Sequence, residues 1–178
     1  MNFLDKCFEG MQNVPKRLRK VPASTERADE HLEKANRNIL AAKLMSENKY
    51  FDWVVTCSYY AMYHATMASL WAIGLEARSH ECAIAAFESF YIKEKKIDER
   101  YLEYVKKAKT LSKKYADSLE QARIERIKAS YGLGEINSQE ASKILSDARD
   151  FVAEITGVVE EAKGFGYQRM GKQNDDSK

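Results

Sequence analysis

The chain has 178 residues, 44% of them apolar and 31% charged, with a net charge of +2. That length suits one domain with a single filled core, and that composition excludes an intrinsically disordered chain. The near balance of charge excludes a surface that grips nucleic acid all over, but leaves room for a local basic strip.

Two prolines and eight glycines give little punctuation, which favours long helices joined by short loops. The first element is a short amphipathic helix over residues 1–13, with Phe3, Leu4, Cys7, Phe8 and Met11 on one face; Pro15 ends it. The stretch KRLRKVPAS then reads as a linker or basic arm, so residues 1–23 are set apart from the main body. Ser24 or Thr25 caps the next helix, with Glu26 in its first turn. Ala28, Leu32, Ala35, Ile39 and Ala42 recur at steps of four and three, which makes one apolar face.

A second long helix is expected over residues 50–73. Tyr50, Val54, Cys57, Ala61, His64, Ala68 and Trp71 form one stripe, and Trp53, Tyr60, Tyr63, Met67 and Leu70 another. A helix apolar on more than one face belongs at the centre of a bundle or at a subunit interface. Gly74 stops it, and Ser79 caps a further helix through Tyr91. A long helix is expected over 97–130, on the face Tyr101, Val105, Ala108, Leu111, Tyr115, Leu119, Ala122. A glycine-containing loop follows over 131–137. Ser138 is expected to cap a last helix with Ala141, Leu145, Ala148, Phe151 or Val152, Ile155 and Val159 inside. The bundle is expected to span 24–164, and residues 165–178 read as a disordered tail. Nothing alternates with period two over a useful length, so the fold class is all-α, an antiparallel up-down bundle of about five helices.

The apolar run 53–75 is interrupted by Thr56, Ser58, His64 and Ser69, too polar for a membrane span. No signal pattern opens the chain. Cys7, Cys57 and Cys82 are odd in number and widely spaced, and read as free thiols of a cytoplasmic protein.

There is no phosphate-cradling GxxxxGK[ST], no GxGxxG, no HExxH and no Glu-x-x-His pair. His31, His64 and His80 fall on different helices, so the sequence offers no local metal pair; neither a metal nor a cofactor is expected. His64 reads as a core histidine bonded to a neighbouring polar group, with a buried ligand or general base as the functional alternative. Tyr59 and Tyr63 should stack, four residues apart, and Tyr60 should pair with His64. Arg126 extends the apolar stripe of the long helix. There it either closes the helix electrostatically or holds a phosphate with its two-pronged guanidinium. Lys106, Lys107, Lys109, Lys113, Lys114, Arg123, Arg126 and Lys128 crowd the same helix, as a solvated face or a strip for RNA or another anionic partner.

Three segments resemble the HEPN domain family. The run YFDWVVTCSYYAMYHATMASLWAIGLEARSHECAIAAF resembles the family's central region, RIKASYG its arginine motif, and SQEASKILSDARDFVAEI its closing helix. The resemblance implies an all-α bundle that dimerises, often encoded beside a nucleotidyltransferase, in some cases as a toxin–antitoxin pair. Active members are implied to be metal-independent ribonucleases with a gap of four to six residues between the arginine and a histidine. Here Tyr131 stands at the nearest such position and no histidine follows Arg126. Tyrosine is a poor proton shuttle near neutral pH. The resemblance therefore implies a non-catalytic dimeric module binding a nucleotide, RNA or a nucleotidyltransferase partner. Its ligand-binding residues would be Arg126, Tyr131, Lys128, Arg123, His64 and Tyr60, with Arg126 and Tyr131 catalytic if the chain is active. A ribonuclease toxin and a purely structural partner-binding bundle are the alternatives.

Overall fold

The computed structural model describes residues 2–10, 15–94, 96–106 and 136–173. In chain order these form α1 (Phe3–Glu9), β1 (Leu18–Lys20), α2 (Thr25–Glu47), α3 (Phe51–Ala72), β2 (Leu75–Ala77), α4 (His80–Phe87), α5 (100–106) and α6 (Ser138–Gln173). The expected helix over 107–130 and the loop after it lie outside the described residues, as do Arg123, Arg126, Lys128 and Tyr131.

Helix α2 begins where the Ser24 hydroxyl accepts the Arg27 N–H at 3.2 Å. Its alanines 28, 35 and 42 are fully buried, and so are Ala61, Ala65 and Ala68 of α3. Small side chains on both partners let the helices of this antiparallel hairpin approach closely. Lys49, at a φ of 62°, turns the chain between them. Helix α6 lies across the hairpin on the face read from the sequence: Ala141, Leu145, Ala148, Phe151, Val152, Ile155 and Val159 are all buried. The Phe151 ring meets Phe87 and Tyr101 edge-on, at 5.5 and 5.9 Å between centroids, which joins α6 to α4 and α5. Lys163 of α6 reaches Asp29 of α2 at 2.5 Å. The chain leaves α4 through a wider turn, Glu88–Ile92, whose i→i−5 bond runs from the Lys93 N–H to the Glu88 carbonyl at 2.9 Å.

The fold class is all-α, as expected, but several segments differ from the sequence reading. The cap of α6 is Asn137, not Ser138: its side-chain oxygen accepts the Glu140 N–H at 2.9 Å, and its side-chain amide donates to the Glu140 carboxylate at 3.2 Å. The helix itself continues past Gly164 to Gln173, where a tail was expected. The basic stretch is not a free arm. Leu18–Lys20 pairs antiparallel with Leu75–Ala77 in the register Leu18↔Ala77, and buries Leu18 completely. Three-residue strands are too short to show a period of two. Cys7 and Cys82 are not free thiols but a disulfide, 5.8 Å between α-carbons, that fastens α1 to α4; Cys57 stays reduced. No helix among the described residues is long and apolar enough to cross a membrane.

Gly74 makes the ribbon possible. It turns from α3 into β2 at a φ of +76°, and a Cβ there would lie 2.6 Å from the Val21 carbonyl oxygen. Gly157 of α6 has nothing within 4 Å of the same position. Gly74→Ala is therefore expected to destabilise by more than about 1 kcal/mol, from left-handed backbone strain alone. Gly157→Ala should be neutral or stabilise by about 0.5–1 kcal/mol, as for alanine in any open helical site. Urea unfolding of the two variants side by side checks both signs.

Candidate functional site

Three helices bring all of the chain's histidines to one place. His31 stands on α2, His64 in the middle of α3, and His80 is the first residue of α4. The start of α4 is fixed by Ser79, whose hydroxyl accepts the Cys82 N–H at 3.2 Å. That cap sets His80 over α3, where its ring lies parallel to Tyr63 at 3.9 Å with 1° between planes. Its Nδ1 pairs with the Tyr59 hydroxyl. Tyr60 meets the same imidazole edge-on at 6.2 Å.

On the other flank, His64 Nδ1 lies 3.0 Å from His31 Nδ1. One of these nitrogens must donate and the other accept, so the two neutral rings hold opposite tautomers at the contact. The expected stacking of Tyr59 on Tyr63 is present, at 6.4 Å and 27°. The expected pairing of Tyr60 with His64 is not: His31 takes His64, and His80 takes Tyr60. Tyr59 is buried, while the histidines and Tyr63 are half-buried. Tyr60 is 41% exposed and presents its ring to solvent.

The surroundings favour the uncharged forms of His31, His64, Tyr59 and Tyr63. Burial pushes His31 down to about 4, helped by the facing His64 and by Lys34 and Arg27, with Glu30 opposing. Burial, Lys34 and His80 also push His64 down. Burial raises Tyr59, and the neighbouring Tyr63, Tyr60 and Glu81 add to it; Tyr63 rises for the same reasons. His31, His64, Tyr59 and Tyr63 are thus biased toward their neutral forms, in a ring-rich cluster able to exchange hydrogen bonds and to stack but poorly suited to shuttling a proton from tyrosine. No three potential metal ligands converge among the described residues. A separate cleft of about 640 Å³ runs between residues 96–104 and α6, lined by Lys96, Arg100, Tyr104, Glu154 and Glu161; no histidine reaches it.

Of the site residues read from the sequence, the described structure brings His64 and Tyr60 into one cluster. It adds His31, His80, Tyr59 and Tyr63. The one sequence signal for His80 was its place directly after the capping Ser79. Nothing in the sequence announced His31, which meets His64 across 33 positions.

A histidine whose folded pKa is depressed binds its proton more readily in the unfolded chain. Its neutral form then supports folding fully above the ordinary value of about 6.5, and that support is lost as pH falls toward 4. Stability should therefore drop over this window, and His31→Asn should flatten the drop. Denaturation midpoints measured from pH 7 to 4 on both proteins test this; equal slopes would remove His31 as the cause.

The chain is similar to two curated proteins. It is 29% identical to the Methanocaldococcus jannaschii protein named "Putative toxin MJ0605" over 130 residues, covering 73% of this chain and 87% of that one. It is 36% identical to the UPF0332 protein glr0978 of Gloeobacter violaceus over 56 residues, 32% of this chain and 44% of that one. Residues 28–158 match the HEPN domain, a span that takes in α2, α3, α4 and most of α6. With that match across most of its length, on an all-α bundle, the chain belongs to the HEPN domain family.

Proposed function

We propose that the chain is a non-catalytic, dimeric HEPN module that binds a nucleotide, RNA or a nucleotidyltransferase partner. Arg126 and Tyr131 form the centre of its binding surface, with Arg123, Lys128, His64 and Tyr60 contributing. The observation that carries this is the placement of the histidines. All three are engaged on α2, α3 and α4, and none follows Arg126 in the chain. An arginine without a histidine at that spacing can still hold a phosphate by charge-assisted hydrogen bonds, but lacks the group that would move protons in ribose-assisted cleavage.

The purified protein should bind single-stranded RNA with strong salt dependence and leave it intact. Arg126→Ala should weaken binding about tenfold, the size of one lost charge-assisted contact. A second reading, a ribonuclease toxin, is supported by the similarity to the M. jannaschii protein named a toxin. RNA cleavage by the wild type that disappears in Arg126→Ala would establish it in place of the first.

Dimerisation is supported by Tyr50, just before α3, and Trp53 in its first turn, which stand 59% and 58% exposed. Large aromatics left in water on one patch suit a partner surface. Light scattering at micromolar concentration should give twice the chain mass of 20.4 kDa, and a monomer mass would overturn the dimer.

A further inference from the structure

The ribbon β1–β2 carries an unusual concentration of charge for so small a sheet. Leu18, Leu75 and Ala77 face inward and are buried. The strand alternation puts Arg17, Arg19, Glu76 and Arg78 on the opposite face. One step beyond the ladder, the Arg78 N–H donates to the Arg17 carbonyl at 2.7 Å, so two arginines stand directly across from one another. Like charges in that position oppose pairing. Glu76 is the single carboxylate of the face, and it is shared by Arg19 and Arg78, with Arg19 Nε donating at 3.0 Å and Arg78 Nε at 3.4 Å. Lys16, Arg17 and Lys20 are exposed and have no anionic partner among the described residues. The outer face thus sets three arginines against one carboxylate, and Lys16 and Lys20 border it, exposed at the alternate positions.

The arginine end of the ribbon runs straight into the ring cluster, since Arg78 is two residues before His80. The His80 ring in turn packs on Tyr63 and meets the exposed Tyr60 edge-on. A cationic track beside accessible rings is the arrangement that holds single-stranded nucleic acid, with guanidinium groups on phosphates and aromatic faces under bases. An acidic protein segment would use the charges but not the rings. Strand β1 lies before the family match, which begins at residue 28, whereas β2, Arg78 and Tyr60 lie within it.

We propose that the basic β1–β2 ribbon and the adjoining Tyr60 form a binding surface for single-stranded nucleic acid, the ribbon holding phosphates and Tyr60 stacking on a base. The proposal takes its ligand class from the reading above but uses a different set of cations.

The test is fluorescence anisotropy with a labelled single-stranded RNA of mixed sequence, and DNA of the same sequence, titrated over a range of salt. The proteins are the full chain, Arg17→Glu/Lys20→Glu, Tyr60→Ala and Arg126→Ala. The double reversal should keep its helical circular dichroism, because both side chains are exposed and Arg17→Glu faces Arg78 with opposite charge. Its affinity should fall at least about tenfold, and its log–log salt slope should flatten by about 1.4, two phosphate contacts at about 0.7 each. Tyr60→Ala should weaken binding about five- to a hundredfold without changing the slope, the range of a lost base stack. Comparing RNA with DNA identifies which strand the surface prefers, and tight binding of either supports it. Wild-type affinity and slope in the double reversal, with binding lost in Arg126→Ala, would overturn the ribbon and leave the earlier reading standing. The opposite pattern would support the ribbon and overturn Arg126 as the centre. Displacement of the RNA by an equal charge of poly-glutamate would overturn it in favour of an acidic protein partner.

Discussion

The close approach of α2 and α3 is the constraint on which the rest of this molecule depends. Six alanines, three on each helix, are completely buried along the hairpin. A larger side chain at any of them would push the axes apart, because packed interiors absorb added volume poorly. Everything of interest is hung from that pair. Helix α6 lies across both, α4 rests on α3, and His31 can touch His64 only because the two helices run so near each other. Helix α3 itself is buried on more than half of its circumference, and its remaining strip leaves Trp53 and Tyr60 exposed.

That geometry explains what the sequence revealed and what it hid. The steps of three and four in Ala28–Leu32–Ala35 and in Ala141–Leu145–Ala148 translate directly into buried faces, because one helix suffices to define its own stripe. Caps at Ser24 and Ser79 were legible for the same reason: the signal and its consequence lie within three residues. The ribbon was not. Its strands are three residues long and 57 positions apart, so neither carries a pattern that pairing would need. The Cys7–Cys82 bond spans 75 positions and was equally hidden. The site falls between these extremes. The stacking of Tyr59 on Tyr63 was readable as a one-turn relation. The partners of His64 and Tyr60 came from α2 and α4, and no one-dimensional spacing encodes which helix lies alongside.

The histidine pair has an electrostatic consequence for the ring cluster. With their Nδ1 atoms 3.0 Å apart, His31 and His64 cannot both carry a proton on the facing nitrogens without turning a hydrogen bond into a repulsion. Lys34 adds a further cation close by, and burial thins the water that would screen it. Both imidazoles are therefore shifted toward the neutral form. The phenols of Tyr59 and Tyr63 are held protonated by the same burial, acting on a group of opposite charge type. The ribbon, with Arg17, Arg19 and Arg78 on one face, carries fixed positive charge beside them.

The ribbon holds its cations in place at a cost that its own two strands do not offset. Arg17 opposite Arg78 is unfavourable by some tenths of a kcal/mol up to about 1 kcal/mol. The exposed salt bridges of Glu76 return little, as surface pairs generally do. What keeps the strands together lies beneath them. Leu18 is fully buried against Leu70, Leu75 and Met67 in a second small core under the sheet. The Arg17 N–H bonds back to the Cys7 carbonyl at 3.0 Å, on the helix that the disulfide fastens to α4. The Val21 N–H closes the other end on the Gly74 carbonyl at 2.9 Å. Apolar burial, a covalent tie and two backbone bonds thus hold a surface that charge alone would push apart. A chain under selection for stability alone would replace Arg17 with a neutral or acidic residue, since nothing in the packing below requires an arginine there. Its presence opposite Arg78 is explained when an anion, absent from the isolated chain, completes the face.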